Sequence, residues 1–176
     1  MESVLDRVIK QNTENVNLLK TKDYNIFSVL QIQSKEVLIC RMIADLLNPR
    51  GQHGAGAEYL KIFLRDCLGM EKMDTKLADQ AIVTAEYAID DERRIDIVIE
   101  IGSYFLPIEV KIYAADQKSQ CFDYYQYAKR RDAQAKVYYL TLDGHRPGKD
   151  STSSGNRSVT EEDIVCLSFR EHILNW

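Results

Sequence analysis

The strongest constraint on how this chain can fold lies in residues 95–112. Ile95, Ile97, Ile99 and Ile101 alternate with Asp96, Val98 and Glu100, the period of two that sends successive strand side chains to opposite faces. Gly102-Ser103 follows, and a two-residue loop with glycine first suits a type II′ hairpin turn. A second strand is predicted from about Tyr104 to Ile112. If Gly102-Ser103 is the whole loop, Ile101 faces Tyr104 and Asp96 faces Glu109. Side chains opposed in this way have Cβ atoms about 4.5–5.5 Å apart, and like charges there repel. A purely structural sheet avoids that pairing, whereas a divalent cation between the carboxylates turns repulsion into ligation. Lys111, two residues past Glu109, lies on the same face. Pro107 is the weak point: it cannot donate to a ladder and can mark an edge or bulge, which would shift the register by one.

An Asp followed by Glu-x-Lys on the neighbouring strand suits a magnesium ion and a phosphate. Hard oxygen ligands fit Mg²⁺ (or Mn²⁺), and Mg²⁺ keeps several waters and takes only one or two carboxylates. Beyond the hairpin, Gln120 and Tyr124 are spaced i, i+4 on a predicted helix and share one face. Upstream, Ser34-Lys35-Glu36 precedes Leu46-Leu47-Asn48-Pro49-Arg50-Gly51-Gln52-His53-Gly54. This ordered set, over roughly residues 30–176, resembles the PD-(D/E)XK nuclease superfamily and within it a bacterial branch. The resemblance implies an α/β three-layer sandwich with a mixed central sheet, built on an αβββαβ restriction-endonuclease-like core. It implies Asp96 and Glu109 as metal ligands and Lys111 as the group that positions or activates the attacking water. Glu36 is implied as a helix-borne acid joining the metal site, directly or through water, with Gln120 and Tyr124 lining it. The expected activity is Mg²⁺-dependent hydrolysis of phosphodiester bonds in nucleic acid, with DNA favoured. The alternative is a catalytically inactive module of the same fold used for DNA binding or protein assembly. Metal binding separates the two.

The residues themselves leave several roles open. Cys40, Ile43 and Leu47 continue a stripe that begins at Glu36, so Glu36 points along the buried side; a first-turn Glu that only complements the helix dipole fits as well. Glu86 is a second candidate for the helper carboxylate. His53, in a loop rich in glycine, could meet a phosphate or bond the loop backbone, and the structural role is favoured. Arg94 and Lys118 are weak candidates for substrate contact beside the plainer reading as solvated surface.

At 176 residues the chain suits one compact domain, with an N-terminal helical segment over 1–33 and the nuclease-like domain over 34–176. The net charge of −4 argues against indiscriminate coating of DNA, since phosphate neutralisation needs Lys and Arg. No apolar run reaches the roughly 18 residues of a membrane span and no secretion signal is visible. Four scattered cysteines read as reduced buried thiols. Together these indicate a cytoplasmic protein with no membrane association; the nucleic-acid partner is what the resemblance implies. Nucleases of this type often act as dimers, so a homodimer is one expected assembly. Relatives look longer, so a truncated or naturally short form is expected.

In chain order, residues 2–20 suggest an amphipathic helix. Ser34 is the expected N-cap of a helix ending at Leu47, and a second helix covers 57–68 up to Gly69. Residues 70–80 read as irregular and 82–89 as the first strand. Asp116 is the expected cap of a helix running to about Asp132, and 137–142 reads as a buried strand. Residues 143–158 suggest a mobile loop whose His145, Arg146, Lys149 and Arg157 could grip substrate, with a plain surface loop the favoured reading. A last strand over 164–168 leads into a helix, where Trp176 needs a partner surface or stays exposed.

Overall fold

The computed structural model describes residues 35–71 and 73–176, all within the unit Ser34–Trp176. The predicted helix over 2–20 and the Ser34 cap lie outside the described residues. Helix α1 (Glu36–Leu47) is followed by α2 (Glu58–Ile62), which continues as a π-helical turn, Phe63–Cys67, and by a one-turn helix α3 (Thr75–Ala78). Strands β1 (Ile82–Ala88), β2 (Arg94–Ile101) and β3 (Tyr104–Lys111) lead to α4 (Gln120–Arg131) and β4 (Val137–Thr141). A short helix α5 (Lys149–Thr152), a small hairpin of β5 (Ser153–Ser154) and β6 (Arg157–Ser158), strand β7 (Ile164–Ser168) and a π-helical turn, Phe169–Ile173, complete the chain.

The five-stranded sheet runs β1-β2-β3-β4-β7, antiparallel across the first three strands and parallel from β3 to β4 and β4 to β7. Parallel neighbours need a crossover, and α4 supplies it between β3 and β4. The sheet therefore carries helices on both faces. On one, Ile97, Ile99, Ile101 and Ile108 pack with Cys40, Ile43 and Leu47 of α1 and with Leu60 and Phe63 of the second helix. On the other, Val98 and Phe105 meet Tyr124 and Ala128 of α4. Each of those fully buried isoleucines contributes about 1.5–3 kcal/mol of burial. This is the expected three-layer α/β sandwich with a mixed central sheet.

The hairpin has the predicted register. Ile101 pairs with Tyr104 and Ile97 with Ile108. Gly102 takes φ +56, while Ser103 stays outside the left-handed region, as a type II′ turn requires. Pro107 does not shift the register. Closing a two-residue turn makes Ile101/Tyr104 a hydrogen-bonded pair, so Ile97/Ile108 is another and Val98/Pro107 falls between them. The ladder to β4 begins one residue later, at Ile108 with Tyr138, so the missing N–H is not needed on either side.

Lys35 flanks the start of α1 and makes no side-chain cap bond. Three expectations are corrected. Residues 70–80 contain α3, because the Asp74 side chain accepts the Lys76 N–H and nucleates a turn. Asp116 does not cap α4, which starts at Gln120 after Ser119. Instead its carboxylate accepts the Tyr139 hydroxyl and the Gly148 N–H, both at 2.7 Å. Residues 143–158 are not a bare loop: α5 and the β5–β6 hairpin organise them, helped by Ser119 Oγ donating to Ser153 O at 2.7 Å. Trp176 has its partner surface. Its indole donates to Tyr59 O at 2.8 Å and its ring packs edge-on against Tyr59 and Phe63.

Candidate active site

A cleft of about 440 Å³ opens at the C-terminal end of β3, lined among others by Glu36, Asp96, Glu109, Lys111, Gln120 and Tyr124. The hairpin, α1 and α4 thus bring together the six residues singled out from sequence. Asp96 sits at a gap in both of its ladders. Toward β1 the pairs run from Ala85↔Ile97 to Tyr87↔Ile95. Glu86 between them takes φ +54, a left-handed conformation costing a non-glycine residue roughly 1–3 kcal/mol. Toward β3 the pairs end at Ile97↔Ile108, and the Val110 N–H donates to Asp96 Oδ2 at 2.8 Å. The Asp96 side chain thus does a backbone carbonyl's work, where the strands part to form the cleft.

Glu109 is 1% exposed, and Lys111 Nζ lies 2.7 Å from its Oε1. Its other oxygen, Oε2, is buried with no hydrogen-bond partner among the described residues. Asp96 lines the same cleft as Glu109, and its charge acts on Glu109. Burial, and next the Asp96 charge, push Glu109 well above its ordinary value of 4.5. Burial likewise raises Asp96, against the pull of the Val110 N–H and the Lys111 charge. For Lys111, burial favours the neutral form, but Glu109, Asp96 and Glu36 outweigh it and hold the amine above 10.5. Lys111 is therefore an ammonium ion in the metal-free protein at neutral pH.

An unpartnered buried carboxylate oxygen facing a second carboxylate is a costly arrangement for stability alone. It fits a divalent cation: hard oxygen donors, two protein carboxylates and room in the cleft for the waters that Mg²⁺ retains. Among the described residues no group of three or more His, Cys, Asp or Glu side chains is placed to hold an ion. A cation at this site would therefore rest on Asp96 and Glu109 with water or substrate oxygens.

The raised Glu109 pKa gives a pH prediction for the metal-free protein. The unfolded chain loses this proton near pH 4.5, while the folded protein holds it to higher pH. Stability from this group is present below 4.5 and lost as pH rises toward the folded pKa. Glu109→Gln, which mimics the protonated form, is thus expected to melt above the wild type at pH 7.5 in chelator. The gap should shrink as pH falls toward 4.5. A variant melting below the wild type throughout would contradict the assignment.

Glu36 does more than complement a dipole. Its Oε1 accepts three consecutive N–H groups, from Ile112 at 2.6 Å, Tyr113 at 2.8 Å and Ala114 at 3.0 Å. Burial opposes its charge, but those bonds and Lys111 prevail and lower its pKa below 4.5. Gln120 and Tyr124 spend their polar ends on β2. Gln120 Nε2 donates to the Tyr124 hydroxyl at 3.1 Å, which donates to Arg94 O at 2.5 Å. Since Arg94 lies two residues before Asp96, the pair anchors the strand that carries Asp96.

Arg94 lines the cleft with an exposed side chain, whereas Lys118 contributes its carbonyl, to Arg93 Nη2 at 2.5 Å. His53 is tied into its loop: Nδ1 accepts the Ala55 N–H and Nε2 faces Asn48 O, each at 3.1 Å. The same loop requires Gly51, since a Cβ there would lie 2.2 Å from Asp45 O. Glu86 is paired with Arg41 at 2.6 Å. Sequence reasoning did not single out Arg93. It also reaches Asp123 at 3.2 Å and Gln117 Oε1 at 2.7 Å, and so pins the β1–β2 loop to the start of α4 across the cleft. Partners 30 and 24 residues away leave no local signal in the sequence.

Comparison with protein families finds that a model of the PD-(D/E)XK nuclease superfamily matches residues 24–176. Comparisons with curated proteins and with solved structures found no match. Among the described residues no helix is long and apolar enough to cross a membrane.

Proposed function

We propose that this chain, which belongs to the PD-(D/E)XK nuclease superfamily, hydrolyses phosphodiester bonds of nucleic acid, with DNA the favoured substrate. The observation that carries the reading is Glu109 Oε2, buried without a partner opposite Asp96 and beside Lys111. Asp96 and Glu109 would hold Mg²⁺ or Mn²⁺. When bound, such an ion lowers the pKa of water and neutralises phosphate charge. Lys111, as an ammonium ion, orients the attacking water and stabilises charge developing on the phosphate rather than accepting a proton. Gln120 and Tyr124 hold β2, and Glu36 holds the exit of β3, so both ligands stay at fixed separation. Arg94 is the one of the three weak substrate contacts whose side chain supports that role, as an exposed cation lining the cleft. His53 and Lys118 have less support.

The test combines titration calorimetry with cleavage. Wild-type protein should bind Mn²⁺ or Mg²⁺ and cut DNA or RNA in their presence but not in chelator. Asp96→Asn keeps an acceptor for the Val110 N–H, so it should melt no lower than the wild type while losing both binding and cutting. Ion binding equal in the two proteins, or none in the wild type with nucleic acid present, would overturn the reading and favour an inactive module.

A further inference from the structure

We infer that Tyr113 is a stacking platform for an unpaired base, so that the preferred substrate is single-stranded or frayed nucleic acid; this rests on the proposed function above. Tyr113 is 68% exposed. Its ring is exposed while its backbone N–H is bonded to Glu36. It follows Lys111 by two residues, and its neighbours Lys111, Ala114 and Ala115 line the cleft. Its N–H and those on either side are held by one carboxylate oxygen of Glu36. The ring is thus an exposed surface on a hydrogen-bonded stem, carried between Lys111 and Ala114, which line the cleft. Tyr104, also exposed, sits at the opposite end of the same strand.

The backbone of this turn has nothing left to offer a phosphate, because its three N–H groups are spent on Glu36. What the turn offers is the ring. Every base has a π-face, and stacking on an aromatic side chain is tolerant of sequence but requires a base free of its duplex neighbours. A base stacked on Tyr113 would belong to a nucleotide adjoining the phosphate at Lys111.

The experiment measures binding of labelled oligonucleotides to the full chain in Ca²⁺, followed by cleavage in Mg²⁺ on the same samples. Tyr113→Ala is expected to weaken single-strand binding roughly 5- to 150-fold, and to leave duplex binding and the melting temperature unchanged. Tyr113→Phe and Tyr113→Trp should bind as the wild type does. An abasic single strand should bind wild type and Tyr113→Ala equally. Unchanged single-strand affinity in Tyr113→Ala, an equal loss on abasic strands, or no oligonucleotide binding by the wild type overturns the platform. Base-dependent binding without cleavage would keep the platform and remove the hydrolytic reading. Cleavage indifferent to residue 113 would do the reverse.

Discussion

Lys111→Met is expected to lower cleavage by a factor of about 10²–10³, the usual consequence of removing one preorganised charge stabiliser. The same variant should lose stability at pH 8 and regain much of it at pH 5. Lys111 lies 2.7 Å from a carboxylate that is 1% exposed. Removing one partner of such a pair leaves an uncompensated charge and typically costs about 3–5 kcal/mol. Glu109 has an escape, because burial and Asp96 already push its pKa up and loss of the ammonium group pushes it further. At low pH it enters the folded state protonated and the cost disappears; as pH rises, folding must hold a proton that the unfolded chain releases. Methionine roughly fills the lysine stem's volume, so packing should change little. The control is the double variant Lys111→Met/Glu109→Gln, which should melt near the wild type at both pH values and remain inactive. Cleavage near the wild-type rate in either variant would remove Lys111 from the chemistry. A double variant as unstable as the single one would trace the stability loss to packing rather than charge.

The central hairpin was legible because its information is local. A two-residue turn fixes register, strand alternation fixes faces, and together they put Asp96 opposite Glu109 on the α4 side before any tertiary contact is considered. Helix α1 was legible for a similar reason, through the stripe from Glu36 to Leu47. Two of the failures involve side chains whose partners are distant in sequence. Asp116 has the composition of a helix cap, but its oxygens go to Tyr139 and Gly148; nothing within its own neighbourhood of sequence announces either partner. The Ser- and Gly-rich stretch after Asp143 reads as loose because its order comes from contacts such as Ser119 with Ser153. The site shows the same division. Asp96, Glu109 and Lys111 belong to one hairpin and could be placed together by counting. That Tyr124, bonded by Gln120, would reach Arg94 O, and that Arg93 would bridge to Asp123, depends on how α4 crosses the sheet. The ladder gap at Asp96, with Glu86 in a left-handed conformation beside it, was invisible to alternation, which assumes a regular strand.

Glu36→Ala is expected to cost about 2–4 kcal/mol and to lower cleavage by about 10²-fold, whereas Glu36→Gln should keep most of both. One carboxylate oxygen serves three N–H groups. A buried N–H left without an acceptor costs about 1–3 kcal/mol, and Ile112 is the half-buried one; water can reach those of Tyr113 and Ala114, which add less. The activity loss follows from position. Ile112 is the residue after Lys111, and a displacement of about 1 Å at a reacting group can cost 10²-fold. Glutamine retains an acceptor oxygen at the same reach and gives up only the charge. Amide hydrogen exchange at residues 112–114, read with melting curves and cleavage rates, distinguishes the two roles open to this residue. Fast exchange in Glu36→Ala with protection kept in Glu36→Gln, and activity following protection, makes Glu36 the clamp of the β3 exit. A Glu36→Gln protein that is protected and stable yet inactive would require the charge itself, and would return Glu36 to the metal side of the cleft through its second oxygen.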